Sequence, residues 1–110
     1  MVSITAKFGE PEIPHVVKTV TGPESYDATN GYTVTVAELT KIAYVLPAIE
    51  TNGTDLFLVK GTASGNEVTL RFYTISADTG TGAITVSEVE DGTNLSGLTF
   101  PLIVYGASQQ

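Results

Sequence analysis

The sequence predicts an all-β protein: a single antiparallel β-sandwich, jelly-roll-like, with at most one short helical turn. Three observations predict it. Thr, Val and Ile make up about a third of the 110 residues, and these residue types fit a pleated, half-buried surface. Apolar and polar residues alternate at period two in several segments. Glycine-containing turn phrases separate those segments at the short intervals of a sandwich or small barrel.

The elements follow in order. Residues 1–14 stand apart, because Met1 to Phe8 alternates weakly and Pro11 and Pro14 bracket a short rigid stretch. An N-terminal arm or added edge strand is expected there. The sandwich domain spans residues 15–106 and begins with a strand from His15 to Thr21. "YTVTV" then sets Tyr32, Val34 and Val36 on one face and Thr33 and Thr35 on the other. "VAELTK" (Val36 to Lys41) is the one place for a helical turn. Strands are expected at Ile42 to Ala48 and Asp55 to Lys60. "EVTLRFYTI" turns Val68, Leu70 and Phe72 against Thr69, Arg71 and Tyr73. Ala83 to Val89 and Leu98 to Tyr105 complete the set, and residues 107–110 form a polar tail.

Turn chemistry punctuates these strands. Asn30-Gly31, Asn52-Gly53, Ser64-Gly65-Asn66, Asp78 to Gly82 and Asp91-Gly92 each offer residues that accept a positive φ. Pro101 cannot donate to a ladder, which predicts an edge or a bulge for the last strand.

Composition narrows the function classes. A chain of 110 residues holds one domain and one core. It has no cysteine, so neither a disulfide framework nor a thiolate metal site is available. The formal net charge is −7, with five Lys plus Arg. That charge repels phosphate backbones and anionic head groups, which predicts no nucleic-acid and no membrane partner. No apolar run reaches a membrane span, and "MVSITAKFGEPEIP" lacks the charged-then-apolar plan of a signal peptide. Charged residues supply only 15% of the chain, below the usual quarter. Its polar surface is therefore built from Thr, Ser, Asn and Gly, as suits a protein that packs against neighbours.

The chemical constellations point away from catalysis. With His15 as the single histidine, neither a Ser-His-Asp triad nor a multi-histidine metal site can be assembled. Glu88 and Glu90 share a strand face, the layout of paired glycosidase carboxylates, and a solvated strand end explains them as well. Asp78 and Asp91 are candidate calcium ligands, without EF-hand spacing. Two sequons, Asn52-Gly53-Thr54 and Asn94-Leu95-Ser96, arise readily in a Thr-rich chain. Asp78-Thr79-Gly80 carries the triplet of an aspartic protease, whose two carboxylates a homodimer would supply. Its flanks, Ser76-Ala77 and Thr81-Gly82, suit a surface turn. A non-enzymatic protein with no cofactor and no metal is expected.

Two longer phrases carry a resemblance. "ITVSEVEDGTNLSGLTFPLIVYG" and "TGPESYDATNGYTVTVAELTKI" resemble the closing and opening regions of small β-sandwich head proteins of tailed bacteriophages and related viruses, over about His15 to Gly106. Thr29-Asn30-Gly31 stands where that family commonly has a double glycine. The resemblance implies a cement or decoration protein on the outer surface of a virion, whose partner is the major capsid protein and which self-associates as a trimer. Ile4, Phe8 and Ile13 are the expected apolar anchors to the shell or to an adjacent copy. Rival readings are a tail accessory and a carbohydrate-binding module that uses Tyr26, Tyr32, Tyr44, Tyr73 or Tyr105 as stacking platforms. The core is the other place expected for those tyrosines, since most fall at alternating strand positions.

Overall fold

The computed structural model describes residues 15–108, and in Ser108 only the backbone. Eight strands fill this span: β1 His15–Thr21, β2 Tyr32–Thr35, β3 Leu39–Val45, β4 Ala48–Thr51, β5 Leu56–Ser64, β6 Glu67–Ala77, β7 Ile84–Glu88 and β8 Thr99–Ser108. They form an antiparallel sandwich of two packed sheets. One has the order β1-β8-β3; the other has the order β2-β6-β5-β4, with β7 also paired to β6. Since β5 occupies one side of β6 along nearly its whole length, β2 and β7 lie in line on the other.

All five expected turn phrases turn. Gly31, Gly53, Gly65, Gly82 and Gly92 hold φ between 62° and 99°, the left-handed region open to a residue without Cβ. The alternation of β6 also holds: Val68, Leu70 and Phe72 are buried, while Thr69, Arg71 and Tyr73 face outward. Between the sheets they meet Phe57 and Val59 of β5, Phe100, Leu102 and Val104 of β8, and Leu39, Ile42 and Val45 of β3.

The place for a helical turn holds a plain turn, and two strand expectations are corrected. "VAELTK" is a single turn in which Leu39 N–H donates to Val36 O at 3.2 Å, and β3 follows with no helix. Its buried residues recur every third position, Leu39, Ile42 and Val45. Two register shifts against β8, at Leu39/Lys41 and Ile42/Tyr44, produce that spacing, because each bulge inserts one residue before the inward face returns. The segment from Ile42 to Ala48 is two strands and not one. Leu46 N–H still donates to Ile103 O in the first sheet at 3.0 Å, whereas Ala48 pairs with Val59 in the second. Pro47, with fixed φ and no N–H, stands at the switch. Finally, β8 is the central strand of its sheet and continues through Ala107 and Ser108, past the expected domain end. Pro101 is tolerated because it pairs with Thr19 of β1 while β3 pairs only from Val104 onward.

Gly106 lies against the first bulge of β3. A Cβ there would overlap the Lys41 carbonyl oxygen and crowd Ile42 Cα, both backbone atoms that cannot swing aside. Gly106→Ala is expected to cost about 1–3 kcal/mol, the range of overpacking. A urea titration checks it, and an unchanged midpoint would contradict the bulge geometry.

Candidate functional site: an apolar outer sheet face

The two long phrases singled out from the sequence are joined to each other through their loops. They form the β1–β2 and β7–β8 connections. Gly22 N–H donates to Leu98 O at 2.8 Å, Tyr26 N–H to Thr93 O at 2.8 Å, Gly92 N–H to Tyr26 O at 2.7 Å and Leu95 N–H to Pro23 O at 2.7 Å. Ala28 N–H adds a bond to Asp91 Oδ1 at 2.9 Å. Asp27 fixes the next turn, its carboxylate accepting from Asn30 Nδ2 and from the amides of Thr29 and Asn30. The Asn30 side chain is the main cause that holds Asp27 below its ordinary pKa.

Tyr26 anchors this clasp. It is buried and packs edge-on against Phe72, with ring centroids 5.6 Å apart. Its hydroxyl donates to Glu88 Oε2 at 2.8 Å and accepts from Phe72 N–H at 3.3 Å. Arg71 completes the network, Nη1 donating to Glu88 Oε2 at 3.0 Å and to Ala28 O at 2.8 Å, and Nη2 to Thr29 O at 3.0 Å. Among the described residues no buried side-chain polar atom lacks a partner, so the network closes on itself as a structural tie.

Its charges are set accordingly. Burial, then the bond to Glu88, pushes the Tyr26 hydroxyl above its usual pKa. The bonds from Tyr26 and then Arg71 hold the Glu88 carboxyl below 4.5. A depressed folded-state pKa contributes stability that is fully present above the unfolded value and is lost as pH falls through the folded one. Acid unfolding below about pH 4.5 should therefore be less steep in Glu88→Gln than in the natural chain. Urea midpoints at pH 7 and pH 3 check this, and equal losses in both proteins would contradict it.

The other sequence candidates are placed as follows. Asp78 to Gly82 is the β6–β7 hairpin turn, exposed throughout. Asp78 Oδ1 accepts from the amides of Gly80 at 2.8 Å and Thr81 at 3.4 Å, so its carboxylate is committed to its own loop. Glu88 and Glu90 both line an open cleft of about 380 Å³ with Asp55 and Thr93. A general acid needs a raised pKa, and Glu88 is held in the opposite direction. No group of three or more His, Asp or Glu among the described residues is placed to hold a metal. Asn52 and Asn94 cap their own turns through Oδ1. Tyr26 alone of the five tyrosines belongs to the core. Tyr44 is exposed, and Tyr32, Tyr73 and Tyr105 are half-buried, because the β3 bulges and the outward parity of β6 and β8 turn Tyr44, Tyr73 and Tyr105 away from the interior. Ile4, Phe8 and Ile13 lie outside the described residues.

Two sheet faces carry the exposed large apolar side chains. On the outer face of the three-stranded sheet are Val17, opposite Ile103, and Tyr44, opposite Tyr105. On the five-stranded sheet the set is larger: Ile49, Leu56, Ile84 and Val86 are 61%, 44%, 65% and 51% exposed. The register makes them one patch. Ile49 lies opposite Leu58 and Leu58 opposite Tyr73; Leu56, Ile75 and Val86 form a row across three strands; Ala77 lies opposite Ile84. The largest apolar patch on a monomeric domain, typically about 300–600 Å², is often functional.

This patch reverses the usual order of a sandwich. In β7 the apolar Ile84 and Val86 face outward, while Thr85 and Ser87 take the inner parity. In β5, Leu56-Phe57-Leu58-Val59 is apolar on both faces, the pattern of a strand covered on both sides. Glu88, opposite Tyr73, bounds the patch on one side. The cations Lys60 and Arg71 stand opposite each other further along the same face, beside a depression of about 140 Å³ that they line with Gly61, Thr62, Thr69 and Tyr73. Sequence reading located β7 and β5 but not this face, since the side on which Ile84 and Val86 emerge depends on pairing with β6. The continuous run "LFLV" was the available signal.

No protein family, curated protein or solved structure matches the chain.

Proposed function

We propose that this chain is a non-enzymatic structural protein that binds the outside of a viral capsid, where it decorates or cements the shell. The major capsid protein is its partner, and the apolar outer face of the five-stranded sheet is its docking surface. The row Leu56–Ile75–Val86, an apolar face turned to solvent on a chain of charge −7, is the observation that carries this reading. Burying such a row releases ordered water at about 25 cal/mol per Å². Much of that gain offsets the loss of translational and rotational freedom on association. One copy therefore binds modestly, and repeated equivalent sites on a shell bring the effective affinity up.

The likeness of the two joined phrases to phage head proteins supports the same reading. Co-sedimentation with mature shells that lack the protein tests it: saturable binding at a fixed ratio to the major capsid protein is expected, and no binding by the folded protein would contradict it.

A second reading rests on the opposite face. Tyr44 and Tyr105 are cross-strand neighbours and His15 lies 5.6 Å from Tyr105 between ring centroids. Adjacent aromatic rings on an outer sheet face suit stacking on a sugar. Glycan-array binding that Tyr44→Ala removes would favour this reading, and it leaves the five-stranded face unused.

A further inference from the structure

We propose that two copies of this chain pair edge to edge through β7, with the two-fold axis at Thr85. The proposal concerns the isolated protein and does not depend on the shell.

Exposed sheet edges are templates for pairing, and natural proteins blunt them with charges, prolines, bulges or brevity. The other edge strands show these devices. β1 carries Lys18, β3 carries Lys41 and two bulges, β4 is four residues long, follows Pro47 and contains Glu50, and β2 is four residues long. From Ile84 to Ser87 β7 carries no charge, proline or bulge, and at five residues it is longer than β2 and β4. It pairs with β6 in unbroken register, and all five of its residues are exposed.

The ladder shows which of its backbone groups are free. Asp78 N–H donates to Ala83 O at 2.8 Å and Val89 N–H donates to Phe72 O at 2.9 Å. Hydrogen-bonded and non-hydrogen-bonded pairs alternate in an antiparallel ladder. Thr85 and Ser87 therefore direct their amides and carbonyls toward β6, and Ile84, Val86 and Glu88 direct theirs away. A contact centred on Thr85 uses Ile84 and Val86 and leaves Glu88 outside it, its carboxylate still held by Tyr26 and Arg71.

A second β7, antiparallel and centred on Thr85, matches them. Ile84 of one copy exchanges both backbone hydrogen bonds with Val86 of the other, and the symmetric pair does the same. Residues directly opposite in an antiparallel pair point to one face, so the contact sets apolar against apolar on the outer side and Thr85 against Thr85 on the inner side. The row Leu56–Ile75–Val86 then runs on into Ile84 of the second copy. The paired stretch from Ile84 to Ser87 is uncharged, so the contact itself apposes no like charges although each chain carries −7. Such a contact is isologous and closes at two copies.

The register is testable because the chain has no cysteine. Thr85 and its symmetry mate form a non-hydrogen-bonded pair, whose Cα atoms lie about 4.5 Å apart, within disulfide reach. The full-length Thr85→Cys protein is expected to oxidise to a covalent dimer much faster than Thr54→Cys, an exposed-loop control. The natural chain should sediment as a dimer at high micromolar concentration and Val86→Lys as a monomer, and the two should melt alike at concentrations low enough for both to be monomeric. A natural chain that stays monomeric while Thr85→Cys crosslinks no faster than the control would overturn the proposal. So would a trimer mass, or a dimer that persists in Val86→Lys.

Discussion

Replacing Ile49 and Leu56 together by Asp is expected to abolish saturable binding to the shell while the sandwich stays folded. Both side chains are among the most exposed apolar groups of the chain, 61% and 44%, so their removal leaves no core cavity. Exposed substitutions of this kind change stability by about 0.5 kcal/mol or less. The effect on docking is of a different size. Each carboxylate would have to be desolvated against an apolar partner without a counter-charge, which costs several kcal/mol per ion, or a loss of more than a hundredfold in affinity. Co-sedimentation of the double variant measures the loss, and far-ultraviolet circular dichroism with a thermal melt checks the fold. Binding equal to that of the natural chain would remove the five-stranded face from the account. The pair avoids β7, so the result is independent of edge pairing between copies.

Tyr26→Ala is expected to be the most destabilising single substitution among the surface connections. Tyr26 is the only aromatic residue in either of the two joined loops, and it is 1% exposed. Truncation would empty the space beside Phe72 and leave Phe72 N–H without its side-chain acceptor. Large-to-small changes at buried aromatics cost about 3–5 kcal/mol, a large share of the total stability of a small domain. Tyr26→Phe separates the two contributions. It keeps the ring and loses the hydroxyl, with an expected cost of about 1–3 kcal/mol for the unpaired Phe72 amide. A urea series on both variants measures the difference. Equal, small losses would mean that the two loops hold together without this anchor.

How far the sequence could be read depends on which interactions decided each element. Period-two alternation found β2 and β6, because each has one face on the core, and that contrast is local. The glycine phrases found the turns for the same reason: a positive φ is a property of one residue. The Pro47 switch was missed because Ile42 to Ala48 reads as one apolar run, and the change of sheet is visible only when Ala48 meets Val59. The three-residue spacing of Leu39, Ile42 and Val45 fits no period-two alternation, because two bulges each insert a residue. The apolar outer face was the least legible feature. Ile84 and Val86 alternate with Thr85 and Ser87 as residues of any half-buried strand do, and alternation alone does not say which face is inward. Only the register with Ile75 and Ala77 turns them out. The contact residues expected from sequence, Ile4, Phe8 and Ile13, lie outside the described residues, and among the described ones the exposed patch is on the sandwich itself.

The most direct test of shell docking through this face is oxidative footprinting of the full-length chain, free and bound to shells that lack it. Ile49, Leu56, Ile84 and Val86 are expected to lose reactivity on binding, while Val17 and Tyr44 on the opposite sheet keep theirs. Protection of Val17 and Tyr44 with Ile49 and Leu56 unchanged would place the contact on the three-stranded sheet and contradict the account.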